Sequence, residues 1–287
     1  MIRRAEGVGC PLTGWLWPVR MVSRPAEVVP AGRGGRGRPR RGGVRAVTRH
    51  AGPVTFLLVH PPLLGPAVWE PCASRLTAAG HPVTVPDLRA ACDPPTGWAD
   101  RAADAAVAGV TGPVVVAGHS GAGLLLPLVA DRLDELDAVV FVDALVPAAG
   151  GSTGPSGRFR AFLDELPVTD GLLPRWSDWW GPDALAELVP DAVVRARIEA
   201  EQPRLPRAFY DESVPVPASW PPSRVAYLQL SPAYDADAAA AAARGWPVRS
   251  VPGQHLDLAT RPDLVAAEIL TLARLQCGDH QRRPACE

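Results

Sequence analysis

The sequence contains no lysine and no asparagine, and its apolar stretches are short. Pro, Gly, Arg or Asp interrupts each stretch before it reaches the roughly 18 apolar residues that a membrane-spanning helix needs. We therefore expect a soluble protein without a membrane span. The 287 residues are still 47% hydrophobic and 21% charged. That composition excludes disorder of the whole chain and provides for one sizeable core.

Basic side chains are scarce in most of the chain. Residues 1–50 hold 11 of the 29 Arg, so residues 51–287 hold 18 Arg against 28 Asp and Glu. A nucleic-acid-binding domain needs a basic face on its folded part. We therefore expect no nucleic-acid partner.

Paired cysteines are also lacking. The five cysteines are odd in number, lie far apart and include no Cys-x-x-Cys pair, which argues against a disulfide framework and a zinc site. Reduced thiols of this kind are typical of a cytoplasmic protein, and we expect that location. We expect no metal and no organic cofactor. The five positions are Cys10, Cys72, Cys92, Cys277 and Cys286.

The chain divides into four kinds of segment. Residues 1–50 are predicted to be a disordered leader, because residues 31–43 are too rich in Gly, Pro and Arg to bury a core. Residues 51–146 and 223–276 are predicted to form one core. Residues 147–222 interrupt it with Pro, Trp and short helical pieces in place of another strand, and residues 277–287 are predicted to be a flexible tail.

Short apolar runs alternate with helical patterns in the core, which is typical of strand–helix–strand units and a parallel sheet. The strands are predicted at residues 54–60, 83–85, 114–117, 138–143, 225–230 and 248–251. The helices are predicted at 69–79, 124–133 and 262–275, with insertion helices at 159–165, 183–188 and 192–201. Near-continuous Val and Leu in the strands predicts a sheet covered on both faces.

The most informative segment is 114–123, where an apolar strand meets a glycine-rich turn and a second apolar stretch. Ser120 lies at the apex of the turn, where its hydroxyl would stand clear of the sheet as a candidate nucleophile. Small neighbours are needed so that strand and helix can pass closely. The backbone N–H of Gly121 would face a reacting carbonyl oxygen from the start of the helix.

Residues 118–122 read Gly-His-Ser-Gly-Ala and resemble the G-x-S-x-G nucleophile elbow of the α/β-hydrolase superfamily, with Ala in place of the last Gly. The resemblance extends over about residues 53–275. It implies an α/β-hydrolase fold, with a mostly parallel sheet flanked by helices and a helical lid at 147–222. It suits a small esterase-like or lipase-like member, and a Ser nucleophile argues against epoxide hydrolases and dehalogenases.

A serine hydroxyl needs an imidazole base and a carboxylate that orients the base. His255 follows the last predicted strand, where the superfamily carries its base. Two acids remain open. Asp235 is near the more usual superfamily position but also precedes an Ala-rich helix that it could cap. Asp143 closes a buried apolar strand, where a carboxylate is costly unless a polar group meets it. We favour Asp143, with Asp235 as the alternative.

The oxyanion hole departs from the superfamily pattern. The first strand of the superfamily ends in His-Gly-x, whose third residue donates its amide, but here Pro62 stands at that position and has no N–H. Losing one such donor costs a factor of about 100 to 1000 in turnover. We expect a shifted amide from Leu63. The alternatives are an amide from Leu64, a side-chain donor, or acyl transfer that is weak or absent. His60 is expected to order this loop.

The insertion is expected to roof the serine, because ligands bind at the carboxyl ends of parallel strands. Trp176, Trp179 and Trp180 are the candidate pocket walls, together with His119 beside the nucleophile. Packing of the tryptophans on one another is the simpler interpretation. If they face the cavity, the substrate is a small apolar acyl compound.

These observations predict a serine hydrolase that cleaves a carboxylic ester or related acyl bond through Ser120, His255 and Asp143. One alternative is a cofactor-free lyase or carbonyl enzyme on the same fold, which the Pro62 departure motivates. The other is a homologue that binds a ligand without turnover. The oligomeric state is left open.

Overall fold

Six strands form a parallel sheet at the centre of the protein. The computed structural model describes residues 54–275. Its strands are β1 (Thr55–Val59), β2 (Val83–Thr84), β3 (Val114–Ser120), β4 (Leu136–Ala144), β5 (Gly151–Thr153), β6 (Val214–Val216), β7 (Val225–Gln229) and β8 (Val248–Ser250). The main sheet has the order β2-β1-β3-β4-β7-β8, and every neighbouring pair in it is parallel.

Helices connect these strands and cover the sheet. They are α1 (Glu70–Ala78), α2 (Trp98–Val107), α3 (Leu126–Arg132), α4 (Gly157–Glu165), α5 (Ala184–Leu188), α6 (Ala192–Ala200), α7 (Asp235–Ala243), α8 (Asp257–Thr260) and α9 (Pro262–Leu275). The predicted α/β architecture and the six core strands are confirmed. Helix α1 ends before Gly80, whose φ of 90° suits a residue without a side chain.

The central strands β3 and β4 are buried on both faces, as the sequence predicts for a covered parallel sheet. In β3 the first six residues are buried, and in β4 the last seven are buried. Strand β3 lies between β1 and β4, with five residues of β1 and most of β4 in register with it. This position places the end of β3, and therefore Ser120, between two hydrogen-bonded neighbouring strands.

One expectation about residues 147–222 is wrong. The segment was expected to hold helical pieces in place of strands, but β5 and β6 pair antiparallel in a separate two-stranded sheet near its two ends. Pro215 lies in β6 opposite Ser152. Proline cannot donate a ladder hydrogen bond, so such a short edge strand is compatible with it but is hard to recognise in sequence.

Several predictions lie outside the described residues. These are the leader at 1–50, the tail at 277–287 and three of the cysteines. Within 54–275, Cys72 and Cys92 are buried free thiols. None of the helices in this range is both long and apolar enough to cross a bilayer.

Candidate active site

Ser120 ends β3 in a strained backbone conformation, with φ 57° and ψ −129°. Such a conformation costs a non-glycine residue about 1–3 kcal/mol and persists where the surrounding structure enforces it. Two glycines make the turn possible. A Cβ at Gly118 would lie 2.7 Å from Leu126 Cδ2, and one at Gly123 would overlap the carbonyl oxygen of Leu145. Strand β3 therefore packs closely against the start of α3, and the 3-10 turn packs against the segment that follows β4. This close packing leaves the serine hydroxyl at the sheet edge.

The structure brings the three favoured residues into one hydrogen-bonded chain. Ser120 Oγ lies 3.1 Å from His255 Nε2, and His255 Nδ1 lies 2.7 Å from Asp143 Oδ2. The residues come from the ends of β3 and β4 and from the loop after β8, so the parallel sheet aligns them along one edge. His255 and Asp143 are buried, at 4% and 0% exposure. This arrangement can pass a proton from the hydroxyl to the imidazole while the carboxylate fixes the ring.

Asp143 is held by three further donors. Its Oδ1 accepts hydrogen bonds from the backbone N–H groups of Leu230 at 2.9 Å and Ser231 at 3.0 Å, and its Oδ2 accepts one from Ser231 Oγ at 2.6 Å. These bonds offset the loss of water around a fully buried carboxylate. The backbone φ of Asp143 is 44°, so the residue turns out of the line of β4.

The alternative acid, Asp235, does not reach the site. Its side chain is exposed and its Oδ1 accepts a hydrogen bond from Gln229 Nε2 at 2.5 Å. It does not cap α7 through its side chain either; the helix begins at Asp235 itself and Tyr234 is the capping residue. The loop after β7 turns Ser231 and Tyr234 inward, so the carboxylate that follows them faces outward. The structure therefore places Asp143, and not Asp235, beside His255.

His119 was expected in the pocket wall, and that expectation is wrong. The side chain is 0% exposed and lies behind the base, where its Nε2 donates to the carbonyl oxygen of His255 at 3.0 Å. The two rings lie 4.4 Å apart. Burial, with the nearby His255 as the second cause, holds the pKa of His119 well below 6.5, so the ring is neutral. Side chains alternate along a strand, and His119 therefore points away from the side of Ser120.

The turn after β1 is packed against the nucleophile elbow. An ideal Cβ on Gly121 would lie 3.6 Å from Pro62 Cδ, so Pro62 packs against Gly121. The Leu64 N–H donates to the Pro61 carbonyl at 3.1 Å and is engaged within the turn. The amide of Leu63 takes part in none of the hydrogen bonds found within residues 54–275, and Leu63 lines the cavity.

His60 orders this turn, as expected. Its Nε2 accepts a hydrogen bond from the Leu88 N–H at 2.9 Å, and its Nδ1 lies 2.9 Å from the Pro61 carbonyl oxygen. Because Nε2 accepts, Nδ1 carries the proton and donates. Burial lowers the pKa of His60 below 6.5, which keeps this neutral form.

An apolar cavity opens above Ser120. Its lining includes Ser120, His255 and the three tryptophans predicted as walls, Trp176, Trp179 and Trp180. The same tryptophans also pack on neighbouring rings, such as Trp180 on Phe162 at 5.2 Å between ring centroids. Much of the remaining lining comes from residues 147–222 and is aromatic or aliphatic. Glu212 contributes the carboxylate of this lining, to which no arginine of the described residues belongs.

Sequence reasoning missed Ser231 and Tyr234. Tyr234 OH lies 3.0 Å from Ser120 Oγ, and its ring stacks on the imidazole of His255 at 5.0 Å with 11° between the planes. Both residues lie in Ser-Pro-Ala-Tyr-Asp, directly after β7, at the sheet edge that holds the other site residues. Their position directly after β7 was the available signal. The sequence argument considered only the carboxylate of this segment, Asp235.

Comparison with known proteins places the chain in a family. The sequence profile of the Alpha/beta hydrolase family matches residues 56–268, which is most of the chain. The chain therefore belongs to the α/β-hydrolase family, and the resemblance seen in the elbow is confirmed. No curated protein matches it.

Solved structures share the fold at low sequence identity. Polyneuridine aldehyde esterase is 19% identical, with a TM-score of 0.59, over 77% of this chain and all (100%) of that chain. A pyrethroid hydrolase from Sphingobium faniae JZ-2 is 18% identical, with a TM-score of 0.54, over 80% and 100%. An extracellular α/β-hydrolase from a Paenibacillus species is 19% identical, with a TM-score of 0.56, over 77% and 99%. These similarities establish the common architecture.

Proposed function

We propose that this protein is a serine hydrolase that cleaves a carboxylic ester or a related acyl bond. The observation that carries the proposal is the unbroken hydrogen-bonded chain from Ser120 Oγ through His255 to Asp143, with 3.1 Å and 2.7 Å at its two links. Each member has the chemistry its place requires: a hydroxyl on a strained turn, an imidazole within reach, and a buried carboxylate.

In the proposed reaction, Ser120 Oγ bonds to the carbonyl carbon while His255 Nε2 takes the hydroxyl proton. The carbonyl oxygen gains the negative charge, which the Gly121 N–H stabilises. The C–O bond to the alcohol then breaks, and His255 returns the proton to the departing oxygen. Water repeats the sequence on the acyl-enzyme and releases the acid. Asp143 holds the imidazole in the tautomer whose Nε2 accepts the serine proton.

The second oxyanion donor is proposed to be the amide of Leu63. Pro62 has no N–H, and the amide of Leu64 is bound within the turn. Leu63 follows Pro62 directly and lines the cavity over Ser120. A one-residue shift of the donor therefore offers a way to retain two amides for the oxyanion.

The substrate is proposed to be a small apolar ester without negative charge. The three tryptophans of the lining offer large flat apolar surfaces, and Glu212 would repel an anionic group. The names of two structural relatives, an esterase and a pyrethroid hydrolase, agree with hydrolysis on this fold. Residues 147–222 would act as the lid of this cavity.

The cytoplasmic location of the protein stays a prediction.

The test is covalent labelling by a fluorophosphonate probe, followed by hydrolysis of p-nitrophenyl esters of increasing chain length. Wild type is expected to label with one probe per chain and to hydrolyse the esters, and Ser120→Ala is expected to do neither. A wild-type protein that neither labels nor hydrolyses any ester would overturn the proposal. Labelling that persists in Ser120→Ala would overturn the assignment of the nucleophile.

A second candidate is a cofactor-free lyase that uses Ser120 and His255 as an acid–base pair on a carbonyl adduct. The missing N–H at Pro62 favours it, because such a reaction need not stabilise an acyl tetrahedral intermediate. It predicts cleavage of a cyanohydrin without a trapped acyl-enzyme. Mass spectrometry distinguishes the two when the protein is mixed with an ester and the reaction is then rapidly quenched. Only the hydrolase accumulates an acyl adduct on Ser120.

A further inference from the structure

Tyr234 makes a direct contact with the nucleophile that the Ser–His–Asp chain does not require. Its hydroxyl lies 3.0 Å from Ser120 Oγ, and its ring lies parallel to the His255 imidazole at 5.0 Å. The residue is buried, at 8% exposure, and lines the cavity. The hydroxyl is therefore fixed at the reacting atoms, with the imidazole holding the ring on one face.

The hydrogen-bond directions follow from the acceptors present. Ser120 has one proton, which it donates to His255 Nε2, so Ser120 Oγ accepts from the Tyr234 hydroxyl. Burial raises the pKa of Tyr234 above its ordinary value of 10, and the negative charge of Asp143 raises it further. Tyr234 thus stays protonated across the working pH range and remains a hydrogen-bond donor.

The order of the strands decides which side of the serine Tyr234 occupies. Strand β1 lies on one side of β3, and the turn after β1 places Pro62 against Gly121. Strands β4, β7 and β8 lie on the other side, and the loops after β7 and β8 carry Tyr234 and His255. The oxyanion belongs beside the Gly121 amide, whereas the departing alcohol belongs beside His255, which returns its proton. Tyr234 lies with His255, on the side of the departing alcohol.

We infer that Tyr234 is a further catalytic residue, which donates a hydrogen bond to the leaving-group oxygen as the ester C–O bond breaks. The inference rests on the proposed ester hydrolysis. In the tetrahedral intermediate, the leaving-group oxygen and Ser120 Oγ are bonded to the same carbon, so a small rotation of the hydroxyl moves its donor from one oxygen to the other. The substrates that need this donor are alkyl esters, whose departing alkoxide is strongly basic.

The proton balance is unchanged by this contact. The alcohol leaves with the proton that His255 took from Ser120, and Tyr234 keeps its own proton throughout. Tyr234 shares the charge that builds on the oxygen before the proton arrives. An aryl ester with a good leaving group, such as a p-nitrophenyl ester, builds little demand for this help, because p-nitrophenolate is stable without protonation.

The test compares ethyl butyrate with p-nitrophenyl butyrate, which share one acyl group and differ in the leaving group. Tyr234→Phe is expected to lower kcat/KM for the ethyl ester by about tenfold or more, and for the p-nitrophenyl ester by less than about threefold. Tyr227→Phe is the matched control, since Tyr227 is also buried but bonds to the Ala144 backbone. It is expected to leave the ratio of the two rates unchanged.

Equal losses on both esters in Tyr234→Phe would overturn the inference and leave the ester hydrolase standing, because a merely structural residue moves both rates together. A ratio that shifts equally in Tyr227→Phe would overturn it as well. A wild-type protein that hydrolyses neither ester and does not label with fluorophosphonate would overturn the proposed function, and this inference with it. Fluorophosphonate labelling of each variant measures the fraction of folded, reactive Ser120, to which the rates are normalised.

Discussion

His119 Nε2 donates a hydrogen bond to the carbonyl oxygen of His255 at 3.0 Å, from directly behind the candidate base. Trp69 lies edge-on against His119, with 6.2 Å between ring centroids. The elbow strand therefore supplies both the candidate nucleophile, Ser120, and a contact that supports the candidate base, His255. Adjacent residues of one strand point to opposite sides, which allows one segment to do both.

This contact predicts that His119→Phe keeps a ring behind His255 but loses the donor to its carbonyl oxygen. We expect kcat for p-nitrophenyl butyrate to fall by about tenfold, because the loop that carries His255 loses the hydrogen bond that fixes its position. His119→Gln retains an N–H donor and is expected to recover most of the rate. Equal rates for wild type and His119→Phe would contradict the positioning role.

The assignment of the acid predicts different outcomes for two carboxylates. Asp143→Asn is expected to reduce kcat by about 10⁴, because an amide favours the wrong imidazole tautomer. Asp235→Asn is the matched control and is expected to stay within about threefold of wild type, because its carboxylate contacts Gln229 at the surface. Steady-state kinetics on one ester, with active sites counted by fluorophosphonate, measures both. A larger loss in Asp235→Asn would reverse the assignment.

The shifted oxyanion donor predicts that Leu63→Pro removes the amide and lowers kcat by about 100- to 1000-fold. Pro62→Ala is the companion variant, because it adds an N–H at the superfamily position, and we expect it to change kcat by less than about threefold. Thermal unfolding of both variants checks that the turn has not collapsed. A large gain in Pro62→Ala, with no loss in Leu63→Pro, would show that Leu63 does not donate.

The buried carboxyl group of Asp237 is expected to make the stability of the folded protein depend on pH. Its Oδ1 accepts the Val146 N–H at 2.7 Å, and burial raises the pKa of the carboxyl from 3.8 to about 7, with the charge of Asp143 also raising it. Between those values the folded protein retains a proton that the unfolded chain has lost. The free energy of unfolding therefore decreases as pH rises from about 4 to about 7.

Asp237→Asn removes the ionisation and keeps an acceptor for Val146. We expect this variant to be more stable than wild type at pH 8, by up to about 4 kcal/mol, and to show little difference at pH 4. Urea unfolding of both proteins at the two pH values provides the measurement. A stability difference that does not change with pH would refute a raised pKa at Asp237.

The local pattern of the sequence was sufficient for the fold and for part of the site. Buried apolar strands, small residues at the elbow and the serine between them are encoded within a few consecutive residues, and the six predicted strands were all found. The β5–β6 pair was missed because its strands have three residues each and Pro215 breaks the strand pattern.

The sequence by itself determined the α/β class, the elbow and the choice of Ser120 and His255 as candidates, because these depend on residue order and on hydrophobic periodicity. Only the tertiary structure showed that Asp143, and not Asp235, lies beside His255. It also turned His119 away from the cavity and placed the Tyr234 hydroxyl beside Ser120. Those outcomes depend on where loops from different strands meet. The direction of each side chain there is set by backbone angles, such as the φ of 44° at Asp143, that no local sequence pattern specifies.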